Sequence, residues 1–307
     1  MAGGEAFVAG IRFIVNSPWK ISVSENFAPF FTRGTSDEMR NTAEKVRIEI
    51  HTAGSVQDIA SEFSADGCTD KDAAVYIGDR FRVYKTAHGG YARLYTDKKC
   101  GGAPYAASVF YPDRELVEIA ALSGARDYFF ESHNLFAHVG LEELFLHFGR
   151  VMLHSSYVKY GGMALLFSGV SGAGKSTQAD IWKNRMGAEI INGDRAVICA
   201  DGVEDGGYIA YGSPVAGSSG VFKYGGERAA ALILPEKFDS CSIERLHGAA
   251  ALSAVYANAT VNSWDKNSVS ASLDILSDFC LRVPVYRLKC TPDEAAAQTV
   301  YKELFAK

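Results

Sequence analysis

The chain has 307 residues, of which 48% are hydrophobic and 22% charged, and a formal net charge of −5. This is ordinary globular usage, enough for one large domain or two of moderate size. Mild acidity without any long basic run argues against electrostatic recognition of nucleic acid or an anionic membrane, and no apolar stretch approaches the roughly 18 residues of a membrane helix.

The opening residues Met1–Gly10 lack the charged-then-apolar layout of a signal peptide. Six scattered cysteines with no CxxC pair predict incidental thiols rather than a disulfide framework or zinc site. The expectation is a cytoplasmic protein.

From Phe7 to about Phe130 the sequence runs in short alternating or β-branched stretches: FVAGIRFIV, KVRIEIHT, AVYIGDRFRVYK, YARLYT, AASVFYP and DYFFES. Turn clusters such as SADG and AHGG separate them, which predicts a mainly antiparallel β module over residues 1–131. Ser132–Arg150 carries apolar residues at three and four spacing and predicts a helical connector. The histidines there (His133, His138, His147) do not repeat the i, i+4 geometry of a helical metal pair and read as ordinary.

Residues 151–307 form the second expected domain. YVKYGGMALLFS predicts a hairpin around Gly161-Gly162, and a helix follows to about Arg185. AEIIN, RAVICA, GGYIAYG, AAALILPE, CSIERL and VPVYRLKC predict strands, with Asp201-Gly202 in a turn. HGAAALSAVYANA and WDKNSVSASLDILSDFCLR predict helices, the latter capped by Asn262 or Ser263. Pro292 is expected at the first position of a last helix. Half of the 30 glycines lie between Gly161 and Gly226, where backbone must turn sharply or approach a ligand.

Within this segment, Gly169–Ser176 satisfies G-x-x-x-x-G-K-[ST] between an apolar strand and a helix. Glycines let successive backbone N–H groups turn toward phosphate oxygens, and the helix presents its positive dipole end to them. The expected nucleotide-binding positions are Gly169, Ser171, Gly172, Ala173, Gly174, Lys175, Ser176 and Thr177. Lys175 would reach the β- and γ-phosphates, and Ser176 would ligate Mg²⁺. Asp194, 19 residues beyond Lys175 and just past an apolar strand, is the candidate for the metal or the catalytic base. Charge in phosphoryl transfer spreads over equatorial oxygens, so a second cation would help; Lys223 and Arg228 are the candidates. GSSG, Gly217–Gly220, suits either a backbone clamp or a lid.

The stretch MLHSSYVKYGGMALLFSGVSGAGKSTQADIW…GAEIINGDRAVI resembles the catalytic domain of the HPr serine kinase/phosphorylase family and its phosphoenolpyruvate-carboxykinase-type relatives. The resemblance covers roughly residues 150–240. It rests on the strand–loop–helix unit, on His154 placed 15 residues before Gly169, and on Asp194 followed by a β run. It implies a mixed-sheet phosphate-loop domain with flanking helices, an α/β or α+β class overall. It also implies ATP with Mg²⁺, phosphoryl transfer to a hydroxyl, and a place for His154 near the phosphates.

Where the family carries two aspartates, this chain has Gly193-Asp194. Either Asp194 does both jobs, or His154 takes the base role, or the base is missing. The glutamate-arginine-glycine signature of the HPr kinases is replaced by AYGSPVAGSSGVFKYGGER, which makes HPr itself an unexpected acceptor.

The reading is therefore an ATP-Mg²⁺-dependent kinase with a peptide, protein or small-molecule hydroxyl as acceptor, and without a nucleic-acid or membrane partner. Homo-oligomer formation is left open. A nucleotide-sensing binding protein and a conventional small-molecule kinase are the alternatives.

Overall fold

The computed structural model describes residues 3–32, 44–55, 58, 73–86, 89–96, 102–129, 131–200, 206–215, 217 and 219–306. The chain is mixed α/β and divides between Leu141 and Glu142 into two compact units, each holding a large mixed sheet. The segment expected as a separate connector is shared between them. Among the described residues no helix is long and apolar enough to cross a membrane.

The first unit contains β1 (Gly3–Val8), β2 (Ile11–Asn16), α1 (Ala28–Thr32), β3 (Glu44–Ala53), β4 (Tyr76–Ile77), β5 (Phe81–Lys85), β6 (Tyr91–Thr96), β7 (Pro104–Phe110) and β8 (Leu116–Leu122). The short helices α2 (Arg126–Phe129) and α3 (Ser132–Ala137) follow, and α4 (Leu141–His147) begins at the boundary. The sheet order is β1-β2-β3-β8-β7-β6-β5-β4. Ala9 and Gly10 both have positive φ and close the first hairpin, the backbone that a two-residue β-turn of matching twist requires.

Most pairings in this sheet are antiparallel, but β3 runs parallel to both β2 and β8. The connection from Asn16 to Glu44 is long enough for a parallel return, which a tight turn would forbid. DYFFES does not continue the sheet. Its first part is α2, where Phe129 is buried and its ring lies 5.9 Å from Trp19 and 4.6 Å from His138. Tertiary packing overrides the β propensity of that aromatic run. The expected single helix over Ser132–Arg150 is two, separated by Gly140 at φ 64°, and Arg150 already opens a strand.

The second unit contains β9 (Arg150–Tyr160), β10 (Met163–Ser168), α5 (Lys175–Met186), β11 (Glu189–Asn192), β12 (Arg195–Cys199), β13 (Ile209–Gly212), β14 (Gly226–Lys237), β15 (Ser242–Leu246), α6 (Gly248–Tyr256), α7 (Lys266–Arg282), β16 (Val285–Cys290) and α8 (Glu294–Leu304). Its sheet order is β10-β9-β12-β13-β14-β16-β15, β11 adds to β9, and β14 pairs again with β10. β9 and β10 form the expected antiparallel hairpin. β14 runs parallel to β10 and to β16, so these three strands end at the same edge.

Both faces of β10 are buried, which explains its unbroken apolar run. Leu165 and Phe167 pack with Trp182 of α5 and Val300 of α8; Leu166 packs on the other side with Leu276 and Phe279 of α7. Asp265, not Asn262 or Ser263, caps α7 by accepting from the amides of Asn267 and Ser268, both at 3.2 Å. Asp293 caps α8, accepting from Ala295 N at 2.9 Å, so Pro292 lies just before the cap rather than at the first helical position. An aspartate that can take an extended backbone one residue later outcompetes proline for the start. Asp201 and Ser218 lie outside the described residues.

Candidate functional site

The turn that follows β10 is built by glycine. Gly172 and Gly174 have φ of 80° and 105°, a region where a side chain would be strained, and neither has a neighbour within 4 Å of a Cβ position. Gly174 is the N-cap of α5, with no side-chain cap bond and no acidic residue in the first turn. The first amides of the helix are therefore left to be satisfied by an anion or water. Lys175 is buried at 8% exposure; its Nζ donates to the carbonyls of Gly169 at 2.8 Å and Val170 at 3.1 Å, bracing the turn from inside.

Asp194 is fixed by its neighbour. Asn192 is fully buried, and its Oδ1 accepts from the amides of Asp194 at 2.8 Å and Arg195 at 2.6 Å. Its Nδ2 donates to the carbonyls of Ser213 at 2.9 Å and Val215 at 3.0 Å. One amide side chain thus shapes the β11–β12 turn and ties it to the following loop. The turn is docked to β9 as well, because Ser155 N donates to Asp194 O at 2.9 Å and Ser156 Oγ to Gly193 O at 3.0 Å.

His154 lies on β9 directly across from Arg195 of β12. Its backbone O accepts from Ser168 Oγ at 2.9 Å, which couples it to the end of β10. Its Nε2 stands 3.2 Å from Asp194 Oδ1; a carboxylate only accepts, so this nitrogen carries the proton. Burial, followed by the charges of Lys175 and Arg195, holds the imidazole below its usual pKa, against the opposing pull of Asp194. Burial also lowers the Lys175 ammonium, with Asp194 opposing and Arg195 adding to the effect. Arg195 Nε lies 3.2 Å from Asp194 Oδ2, and its Nη1 donates to Thr260 Oγ1 at 2.7 Å.

These groups surround one cavity of about 420 Å³. It is lined by Ser171, Gly172, Gly174, Lys175, Ser176 and Thr177 of the glycine turn and α5, by His154, Gly193 and Asp194, and by Ser219 and Lys237. Most of the expected positions therefore meet, whereas Gly169 and Ala173 act as backbone, Gly169 through its carbonyl and Ala173 by donating to Val170 O at 3.1 Å.

The two expected cations do not meet the cavity. Lys223 pairs with Glu189 at 2.7 Å, and Arg228 lies opposite Met163 at the start of β10, five residues from the glycine turn and thus roughly 16 Å along the strand. Because β14 is parallel to β10, its end rather than its start reaches the turn, and Lys237 is the residue there. Lys237 was not legible as a site residue, since strand direction decides it. The Gly217–Gly220 loop does reach the site: a Cβ on Gly217 would collide with the Asp194 carboxylate, and one on Gly193 with the Ser219 side chain.

No protein-family model matches this chain, and no curated protein matches it significantly. The cavity itself carries the chemistry. It brings together uncapped helix amides, two lysines and a histidine-oriented carboxylate, a set suited to holding a polyanion and accepting a proton beside it. Among the described residues no group of three or more His, Cys, Asp and Glu side chains forms a metal cage. Ser176 and Asp194 do offer two hard oxygen donors on the same cavity, which fits a Mg²⁺ ion that takes its other ligands from phosphates and water.

Proposed function

We propose that the second unit is a nucleotide-dependent phosphotransferase of the HPr-kinase-like type, moving the γ-phosphoryl group of ATP to a hydroxyl of a peptide, protein or small molecule in the cytoplasm. The observation that carries this reading is the His154–Asp194 pair facing Lys175 across the glycine-turn cavity. The antiparallel β9 beside β10 also favours this type over a conventional all-parallel kinase.

In this reading the turn amides, Lys175 and Lys237 hold the phosphate chain and oppose its charge. Ser176 and Asp194 would hold Mg²⁺, which supplies further neutralisation of the transferring group. Asp194 takes the proton of the acceptor hydroxyl. His154, neutral near pH 7, donates from Nε2 to Oδ1 and holds the carboxylate in place, leaving Oδ2 toward Arg195.

The test mixes the purified chain with γ-labelled ATP, Mg²⁺ and extract from its own source, beside Lys175→Ala. Label that moves to a new species and is lost in the variant supports the kinase and yields the acceptor. A second reading, a nucleotide sensor, is favoured by Gly193, whose neighbour Ser219 leaves no space for a second carboxylate. It expects ATP binding without any transfer of label.

A further inference from the structure

A second concavity, of about 580 Å³, lies beside the phosphate cavity and shares Thr177 with it. Thr177, Asp180, Ile181 and Asn184 follow one another down one face of α5 at helical spacing, and Pro292 and Asp293 form the opposite wall. That wall is the turn leaving β16. Since β10, β14 and β16 are parallel, the glycine turn, Lys237 and Pro292–Asp293 all sit at the carboxyl ends of neighbouring strands. Ligands of open parallel sheets lie across that edge. Two strand spacings separate β10 from β16, roughly 10 Å, a distance comparable to that between the phosphates and the base of a nucleotide.

The chemistry changes along this path. The first cavity presents lysines and helix amides, whereas the groove presents the three carboxylates of Asp180, Asp293 and Glu294 against one cation, Arg185, with apolar surface from Ile181 and Pro292. Carboxylates repel phosphate but accept from hydroxyl, amino and ring N–H groups. Asp293 spends Oδ1 on the α8 cap, a bond that uses one of its two oxygens.

We propose that this groove is the nucleoside subsite: Ile181 and Pro292 offer apolar contact to the base, and Asp180, Asp293 and Asn184 offer hydrogen bonds to ribose hydroxyls and the base edge. The proposal rests on the nucleotide reading given above, and it adds that affinity comes from the nucleoside as well as from the phosphates.

The test is calorimetric titration of the full chain with Mg²⁺-ATP and, separately, with Mg²⁺-tripolyphosphate, which carries the phosphates alone. Asn184→Trp fills the groove from an exposed helical position, and the pair Asp180→Asn, Asp293→Asn removes two of its three carboxylates while asparagine still caps α8. Circular dichroism checks that each variant is folded. The expected result is that wild type prefers ATP over tripolyphosphate by about tenfold or more, and that Asn184→Trp and the double variant lose this preference while tripolyphosphate binding is unchanged. Equal wild-type affinity for the two ligands, or folded variants that bind ATP as wild type does, overturns the subsite and leaves the phosphate site standing. Failure of wild type to bind either ligand overturns the nucleotide reading itself.

Discussion

The Ser219 side chain stands where a side chain on Gly193 would have to begin. Residues of the loop following β13 thus occupy the space beside Asp194, with Gly217 against the carboxylate. Gly193→Asp is expected to destabilise the unit by about 1–3 kcal/mol through overpacking. Adding Ser219→Gly should recover most of that loss, because the obstructing atoms are gone. Thermal unfolding of the single and double variants measures it; a Gly193→Asp protein as stable as wild type contradicts the arrangement.

Asp194 and His154 separate by magnitude. Asp194→Asn is expected to lower the phosphoryl-transfer rate by about 10²–10⁴-fold, as for loss of a general base. His154→Phe removes only the hydrogen bond to Oδ1, so the expected loss is about ten- to a hundredfold. Because the His154 pKa is held below its usual value, transfer should be insensitive to pH between 7 and the ordinary imidazole range near about 6.5 and should fall only at lower pH. A rate profile across that range, compared with His154→Phe, checks the assignment.

Lys237 and Lys223 exchange the importance that the sequence would give them. Lys237→Ala is expected to weaken binding of Mg²⁺-tripolyphosphate by about tenfold, in line with loss of one charged contact. Lys223→Ala should leave it unchanged, since that residue pairs with Glu189 on the surface. Equal effects of the two substitutions would place the phosphate chain elsewhere.

The contrast shows what was legible beforehand. The glycine turn, Lys175, Ser176, Asp194 and His154 could be found because local backbone needs and fixed spacings leave a mark in the chain. The roles of Lys237 and of Pro292–Asp293 depend on β14 and β16 running parallel to β10, a long-range choice that no local pattern encodes. Nothing in the local pattern marks out Asn192, yet the five hydrogen bonds of its side chain make it the organiser of the turn. The parallel insertion of β3 in the first sheet was invisible for the same reason.

Asn192→Ala follows from that organiser role. Removing a fully buried amide leaves the Ser213 and Val215 carbonyls and two amides short of partners, at about 1–3 kcal/mol for each group that stays unsatisfied. A large loss of thermal stability together with lost transfer is expected, and Asn192→Asp should rescue the amide contacts to Asp194 and Arg195 but not those to the carbonyls.

In the first unit, His138 is buried with Nδ1 donating to Asn134 O at 2.7 Å and Nε2 accepting from Tyr105 OH at 2.7 Å. Burial brings its pKa down to about 4, and nearby Arg80 adds to the effect, against the Asn134 bond. A depressed histidine pKa means that the unfolded chain binds the proton first, so stability falls as pH drops from about 6.5 toward 4 and changes no further below that for this group. NMR titration of the imidazole should show His138 neutral at pH 5.5. A midpoint near the free value would refute its burial.

The pairing of Lys237 with Cys290 has a consequence for synthesis on the ribosome. A nascent chain that has just released Ser176 already carries the complete glycine motif, yet the strand that aligns the Lys237 end of β14 is made more than a hundred residues later. The motif is therefore translated well before its cavity can be finished, and the growing chain passes through that whole interval, until the Val285–Cys290 strand has emerged, without a competent phosphate pocket.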